Sequence, residues 1–378
     1  MSFDLSPEQK MLKDSIEGFL KQNYDFETRR GLASSELGYS PENWKTFAEL
    51  GWLSVPFAEE NEGFGGSTID VVTIAESLGK ALVTEPFVAS LILGGRLIER
   101  LGAAEHKRAV LPKVMAGDLQ LALAHTERDA GGNPAYVSCQ VERSGGDYVI
   151  TGEKTVVLNG ESAHQLVVTA RSAGDERDRR GIEVFLVDAH RPKLRRRGYP
   201  TLDGMRAADI HLDGVHVPAS ARLGNPSTSI DALEAVIDEA IVALAAEAVG
   251  VMEILNHDTV EYAKTRTQFG QPIGKFQALQ FRMVDMWLAQ QQALSTLYMA
   301  ALHQSEGGTV AKRSASALKV MVSKASRFVG EQAIQIHGGI GTSDELRVGH
   351  YFKRLLCIEA LFGNMDYHLD RYASLMEV

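Results

Sequence analysis

Apolar positions along the first 120 residues recur at helical spacing. Asp70 to Leu82 and Ala89 to Leu101 read as amphipathic helices. Ser6-Pro7-Glu8-Gln9 has the form of a capping box, with Ser6 as N-cap, Pro7 at the first helical position and Gln9 reaching back. Ser40-Pro41-Glu42-Asn43 repeats that opening ahead of Trp44, Phe47 and Leu50. From residue 121 the period shortens. Val137 to Val141, Tyr148 to Thr151, Leu166 to Ala170, Glu183 to Val187 and Ile210 to Val217 are short, β-rich runs set among glycines, the pattern of a small antiparallel β domain. From about 230 the helical period returns. Leu233, Val236, Ile237, Ala240, Ile241, Leu244, Ala248, Val251, Met252 and Leu255 form one stripe, and long helices with few breakers follow, as in a bundle. The pattern predicts an α+β chain in three parts: a helical domain over 1–120, a β domain over 121–225 and a helical bundle over 226–378.

Composition narrows the picture. The chain has 378 residues, 44% hydrophobic and 23% charged, an ordinary globular balance. A net charge of -10 and a pI near 5.6 argue against nucleic-acid binding, which needs a basic footprint. Arg177 to Arg180 and Arg195 to Arg197 are expected in loops, as solvated surface or as contacts to an anion. Cys139 and Cys357 are two isolated thiols, which make neither a disulfide framework nor a zinc site. His125, His337 and His350 show no metal-ligand spacing, so no metal is expected. Met1 to Gln9 is polar and helix-starting, unlike a signal peptide. The longest apolar run, Ala240 to Gly250, is interrupted by Glu247 and too short to span a bilayer. A cytoplasmic protein with no membrane segment is expected.

Two segments carry the chemistry. In Arg266-Thr267-Gln268-Phe269-Gly270-Gln271-Pro272 an arginine at a helix end precedes a forced turn, and its planar fork of donors suits a phosphate. In Gln335-Ile336-His337-Gly338-Gly339-Ile340-Gly341 three glycines in four residues allow a backbone to approach a ligand closely, or form a plain helix cap.

Together they resemble the acyl-CoA dehydrogenase family, whose R-x-x-F-G and Q-x-x-G-G-x-G motifs match at Arg266 to Gly270 and Gln335 to Gly341. Leu123 to Gly131 is similar to the family's T-E-P-x-A-G loop, Val149 to Lys154 with Leu158-Asn159-Gly160 to its hairpin, and Leu212 to Pro218 to its F-x-x-V-x-V-P strand. The small subunit of pimeloyl-CoA dehydrogenases, from two-gene systems, is the nearest likeness within it. The resemblance implies FAD held between the β domain and the bundles of two subunits. It places Arg266, Gln268 and Phe269 on a neighbour's FAD, with Arg266 on the pyrophosphate. It places Gln335, Gly338 and Gly339 along the adenine end, and His125 and Thr126 near the isoalloxazine. It implies α,β-dehydrogenation of an acyl-CoA thioester, with electrons passed to an electron-transfer flavoprotein, in a homodimer, homotetramer or heterotetramer. The anion at the arginine runs would then be a CoA phosphate.

The reacting end departs from this pattern. The family's usual base is a glutamate before a glycine, about 27 residues beyond the motif glutamine; that count reaches Phe362-Gly363. The alternative position, 26 residues before the arginine, falls on Ala240. Neither side chain accepts a proton. The family's hairpin tryptophan and threonine are Val156 and Leu158, the loop proline is Arg128, and the serine beyond it corresponds to Gly132. Gly132 and Phe362 are therefore the expected substrate-side positions. Three carboxylates are candidate replacements. Glu247 lies at the edge of the apolar stripe, about 10 Å along the helix from Ala240, and reads either as a base or as a paired structural carboxylate. Glu239 adjoins Ala240 but faces elsewhere, and Glu359 lies three residues before Phe362. Two functional readings stand: an FAD-dependent acyl-CoA dehydrogenase with a displaced carboxylate, or a non-catalytic subunit completing the flavin site of a homologous partner.

Overall fold

The computed structural model describes residues 5–376; Met1–Asp4, which open the polar N-terminal stretch, lie outside them. Eleven α-helices are described: α1 Pro7–Asn23, α2 Phe26–Ser34, α3 Pro41–Glu49, α4 Thr68–Lys80, α5 Arg96–Leu101, α6 Ala104–Met115, α7 Ser229–Thr265, α8 Gln277–Gln304, α9 Gly308–His337, α10 Arg347–Ala360 and α11 Met365–Ser374. The strands are β1 Leu121–Ala124, β2 Gln140–Ser144, β3 Asp147–Leu158, β4 Gln165–Arg171, β5 Ile182–Asp188, β6 Leu194–Pro200, β7 Arg206–Val217, β8 Arg222–Leu223, β9 Thr267–Gln268 and β10 Gln271–Pro272. The chain forms an α+β fold of two compact units. One comprises Met1–Gly31, Thr68–Val83 and Ile241–Val378; the other comprises Leu32–Ser67 and Thr84–Ala240.

The second unit holds the sheet, in the order β6-β7-β3-β2-β4-β5-β8, with β1 also pairing β4. Most neighbours are antiparallel, as the alternating runs predict. The pairings of β1 and β2 with β4 are parallel and were not anticipated. β4 is buried from Leu166 to Arg171, so both its faces are covered and its sequence reads as a continuous apolar run. The described residues correct several expectations. Arg195–Arg197 is no loop but lies on β6, a terminal strand of the sheet, paired with His211, Ile210 and Asp209. Charged side chains blunt such an edge against association. Val137–Cys139 precede the strand rather than begin it. Ala89 to Leu101 is not amphipathic: Phe87–Gly95 is a π-helical stretch with every residue but Val88 buried, and α5 continues it. Between Lys154 and Val157 the β3–β7 register shifts, and Val156 adopts φ +50°. That is a strained conformation for a β-branched residue.

The first unit is helical. Ser6 and Gln9 form the expected capping box on α1. α4 is buried continuously from Val72 to Gly79, so Asp70 to Leu82 is a core element and not an amphipathic one. Its neighbour is α7. A Cβ on Gly79 would stand 2.2 Å from the Glu247 carbonyl oxygen, and one on Gly250 would stand 2.1 Å from that of Glu76. The two backbones touch because both contact positions lack a side chain. α7 is accordingly buried on every side from Ala240 to Met252, wider than a one-sided stripe. No helix among the described residues is long and apolar enough to cross a membrane.

Candidate functional site

In the helical unit, α7 ends at Thr265 and the chain reverses at once. β9 and β10 pair through Thr267–Pro272 and Gln268–Gln271, and the Ile273 N–H donates to the Arg266 carbonyl at 2.8 Å. The two-residue turn uses φ +52° at Phe269 and +78° at Gly270. Positive φ at both positions suits the twist of a tight hairpin. The hairpin holds its side chains outward. Phe269 is 91% exposed, touching Phe276 edge-on at 6.2 Å. Arg266 and Gln268 are also exposed, and the Arg266 guanidinium makes no ion pair among the described residues.

The glycine segment caps α9. Gly338 takes φ +66° and Gly338–Thr342 forms a 3-10 turn. A Cβ on Gly338 or Gly339 would meet nothing within 4 Å, so these glycines face open space rather than a crowded neighbour. Gln335 is exposed beside them. His337 stacks on Tyr262 at 4.4 Å, and the Tyr262 hydroxyl donates to the His337 carbonyl at 3.3 Å. Tyr262 lies one turn before Arg266, so this contact brings two motifs some 70 residues apart in sequence to one end of the bundle.

In the other unit, β1 delivers half-buried His125 and Thr126. Burial, with the Lys154 ammonium nearby, pushes the His125 imidazole down to about 4, so it is neutral at pH 7. It serves in hydrogen bonding, not as a cation; Thr126 Oγ1 lies 3.3 Å from its Nε2. The segment is fixed from beneath. Buried Glu127 accepts from Lys154 Nζ at 2.6 Å and from the N–H groups of Ser138 and Cys139 at 2.8 and 3.1 Å. Lys154 also donates to Thr169 Oγ1 at 3.0 Å. Burial drives the Glu127 carboxyl upward, but Lys154 and Ser138 together hold it below the usual range. The Thr155 N–H donates to the Thr126 carbonyl at 2.8 Å, tying the bulged strand to the loop. Gly132 sits in that loop at φ +88°.

The carboxylates are committed elsewhere. Glu247, buried on α7, takes two hydrogen bonds from Arg354 on α10, one of 2.7 Å between Arg354 Nη2 and Oε2. Glu239 is gripped by Arg96 and Arg100; burial raises its carboxyl, but the two guanidiniums outweigh that and hold it below the ordinary range. Glu359 lies 3.5 Å from the Arg327 guanidinium. Phe362 is half-buried in a turn at φ +58°, followed by Gly363 at +98°, and Ala240 is fully buried. Two groups under the Phe362 turn, Lys319 and His368, escaped the sequence reading. Their signal was present in Lys319, which sits among Leu318, Val322 and Ala325 on an apolar helix face. Among the described residues, no cluster of three His, Cys, Asp or Glu side chains is placed to hold a metal.

Three family profiles cover the chain: acyl-CoA dehydrogenase, N-terminal domain, over residues 6–118; middle domain, over 122–215; and C-terminal domain, over 231–376. A probable acyl-CoA dehydrogenase, YngJ, of Bacillus subtilis (strain 168) is 31% identical over 353 residues, covering 92% of each chain. The ChsE4-ChsE5 complex from Mycobacterium tuberculosis contains a chain 25% identical, with a TM-score of 0.90 over 100% of this chain and 99% of that one. PigA, solved with FAD and proline, is 26% identical with a TM-score of 0.92, again over 100% and 99%.

Proposed function

The chain belongs to the acyl-CoA dehydrogenase family of FAD-dependent oxidoreductases, and from that premise we propose that it is the base-lacking subunit of a heteromeric acyl-CoA dehydrogenase. In this reading it completes a flavin site and borders the thioester, while a homologous partner carries the proton-abstracting carboxylate. One observation carries it: both usual base positions hold Phe362 and Ala240, and all three candidate replacements, Glu247, Glu239 and Glu359, face guanidiniums. A carboxylate held by two arginines, as Glu239 is, gives up its ionised form reluctantly and makes a weak base at neutral pH.

The donor set suits FAD. Arg266 offers an uncommitted fork for the diphosphate. Phe269 and Gln268 offer an apolar face and an amide beside it, and Gln335, Gly338 and Gly339 line open space for the adenine end. His125 and Thr126 offer neutral hydrogen-bonding groups toward the ring system. FAD, when bound, supplies the hydride acceptor for α,β-dehydrogenation of an acyl-CoA. Gly132 and Phe362 then border the substrate, and an electron-transfer flavoprotein is the proposed acceptor. The heteromeric likeness, a complex of two named chains, supports the assembly.

The test compares the purified chain with the chain co-expressed beside a homologue bearing the glutamate. The co-expressed pair should carry flavin absorbance and bleach on addition of acyl-CoA, while the lone chain reconstituted with FAD should not. Rapid bleaching by the lone chain would end the subunit reading. In that case Glu247→Gln, Glu239→Gln and Glu359→Gln identify which carboxylate acts.

A further inference from the structure

Lys319 is 4% exposed, yet its ammonium has no carboxylate within ion-pair distance among the described residues. It donates to the Ile358 carbonyl and, at 2.7 Å, to that of Leu361. These are the orphan carbonyls at the end of α10, where a cation is favoured by the helix dipole. The next carbonyl, that of Phe362, accepts from His368 Nε2 on α11 at 2.9 Å. His368 Nδ1 in turn faces the Ser316 hydroxyl at 3.2 Å, and Arg371 donates to the same hydroxyl at 3.3 Å. Two successive carbonyls are thus held from the buried side, immediately around two positive φ angles, one of them on a phenylalanine. A non-glycine residue persists there only where its surroundings over-determine it.

Beside Lys319 lies a cavity of about 10 Å³ for the centre of a water molecule, lined by Ser323, Ser326, Glu359 and apolar residues including Ile241 and Leu244. Lys319, Ser323 and Ser326 share one face of α9 through i, i+4 and i+7 spacing. Ser323 and Ser326 are buried at 3% and 1%, and neither hydroxyl has a hydrogen-bond partner among the described residues. Buried hydroxyls are rarely left unpaired, and a polar cavity of this size holds one water.

We propose that Lys319 is a positioning residue for the Leu361–Gly363 turn, and that one buried water bridges its third donor to Ser323 and Ser326. Every contact lies within one unit and stands independently of the heteromeric reading. The turn is the place where the family pattern calls for a carboxylate, so Lys319 and His368 form a pedestal beneath the position that holds Phe362 here. The arrangement is sensitive to pH. Burial lowers the Lys319 ammonium to about 7, against an upward pull from Glu359 on α10. From α11 it faces His368, which in turn has Arg371 beside it, and among the described residues lining the cavity α7 contributes Ile241, Leu244 and Ala245. Because the folded value lies below that of an exposed lysine, opening the turn takes up a proton above about pH 7, so the closed turn gains on the open one as pH rises, and the neutral amine still keeps two donors for the two carbonyls.

Hydrogen exchange resolved to residues 358–363 tests this, alongside a crystal structure at a resolution that shows ordered water. Relative to intrinsic rates, wild-type exchange in that segment should fall about threefold from pH 6 to pH 8, because an opening that exposes Lys319 must take up a proton once the pH passes the lowered folded value. Lys319→Met should raise it at least tenfold and abolish the pH dependence, with α8 unaffected; Lys319→Gln, which keeps a donor, should recover part of the protection. A Ser323→Ala, Ser326→Ala double variant should lose the water and show an intermediate rate. Wild-type exchange in a folded Lys319→Met chain, or an empty cavity beside intact serines, would overturn the proposal. If Lys319→Met does not fold, Lys319→Gln and the serine pair decide it by the same two readings.

Discussion

Within the helical unit, two arginines meet opposite fates. Arg354 is buried and closed onto Glu247 by two hydrogen bonds. Arg266 stands exposed on a tight hairpin beside a phenylalanine with almost its whole surface in solvent. The first pair is internally complete: every charge has its opposite, and nothing remains for a ligand. The second has chemistry to spend outside the fold. On the proposed reading, the contrast separates what the chain uses to fold from what it offers to other molecules, with Glu247 paired to Arg354 in the first class although a carboxylate on an apolar helix face invites the second.

Four measurements break or sharpen this division. The largest expected effect is a gain. Phe362→Glu sets a carboxylate on the pre-held turn, and reduction of the FAD-reconstituted lone chain by acyl-CoA should rise by about 10²–10⁴-fold, the usual contribution of a placed general base. Stopped-flow absorbance of the flavin band reads it, and no gain on a folded, flavin-loaded variant would mean that more than a base is missing. Next comes the buried pair. Glu247→Gln should cost about 3–5 kcal/mol in urea unfolding, because it strands Arg354 in the core, whereas Glu247→Leu with Arg354→Met should recover much of the loss.

The third effect concerns acid. Burial, with Lys319 and Arg371 nearby, lowers the His368 imidazole to about 4. A base whose folded value lies below its ordinary 6.5 is protonated first in the unfolded chain, so stability declines as pH falls from 6.5 toward 4. Above 6.5 this group contributes no slope. The loss amounts to about 3 kcal/mol for His368 alone, and His125 shifts in the same direction. Urea midpoints at pH 7 and pH 4.5 measure it; a folded His368→Gln chain should show a shallower decline. The smallest effect belongs to the hairpin. Arg266→Ala should leave unfolding within about 0.5 kcal/mol of wild type and weaken FAD binding by about 1.5–3 kcal/mol, the worth of charge-assisted hydrogen bonds. A large stability loss would move Arg266 into the class of Arg354.

Much of this architecture was written in local signals. The capping box of α1, the Ser40 cap of α3, the turn at Phe269-Gly270 and the glycine end of α9 each depend on a few adjacent residues, and each is legible in them. The α+β order follows from the change of period. What escaped depends on distant partners. β6 carries Arg195 to Arg197, and only its pairing with β7 makes a strand of them. α4 reads as one-sided because Thr73, Glu76 and Ser77 interrupt its apolar residues, yet all three are buried, and Phe87–Gly95 is buried at every position but Val88. At the site, the motifs announced Arg266 and Gly338, but not the Tyr262–His337 stack that gathers them. Glu247's partner lies 107 residues away, and Lys319 acts on carbonyls about 40 positions along the chain, distances over which spacing carries no information.

The backbone of Val156 has a consequence for engineering. A valine with half its surface near solvent occupies a dihedral basin that glycine or asparagine enters freely. Exchanging it for asparagine should raise the melting temperature without touching the core, since a residue at ease there forfeits the roughly 1–3 kcal/mol of torsional penalty.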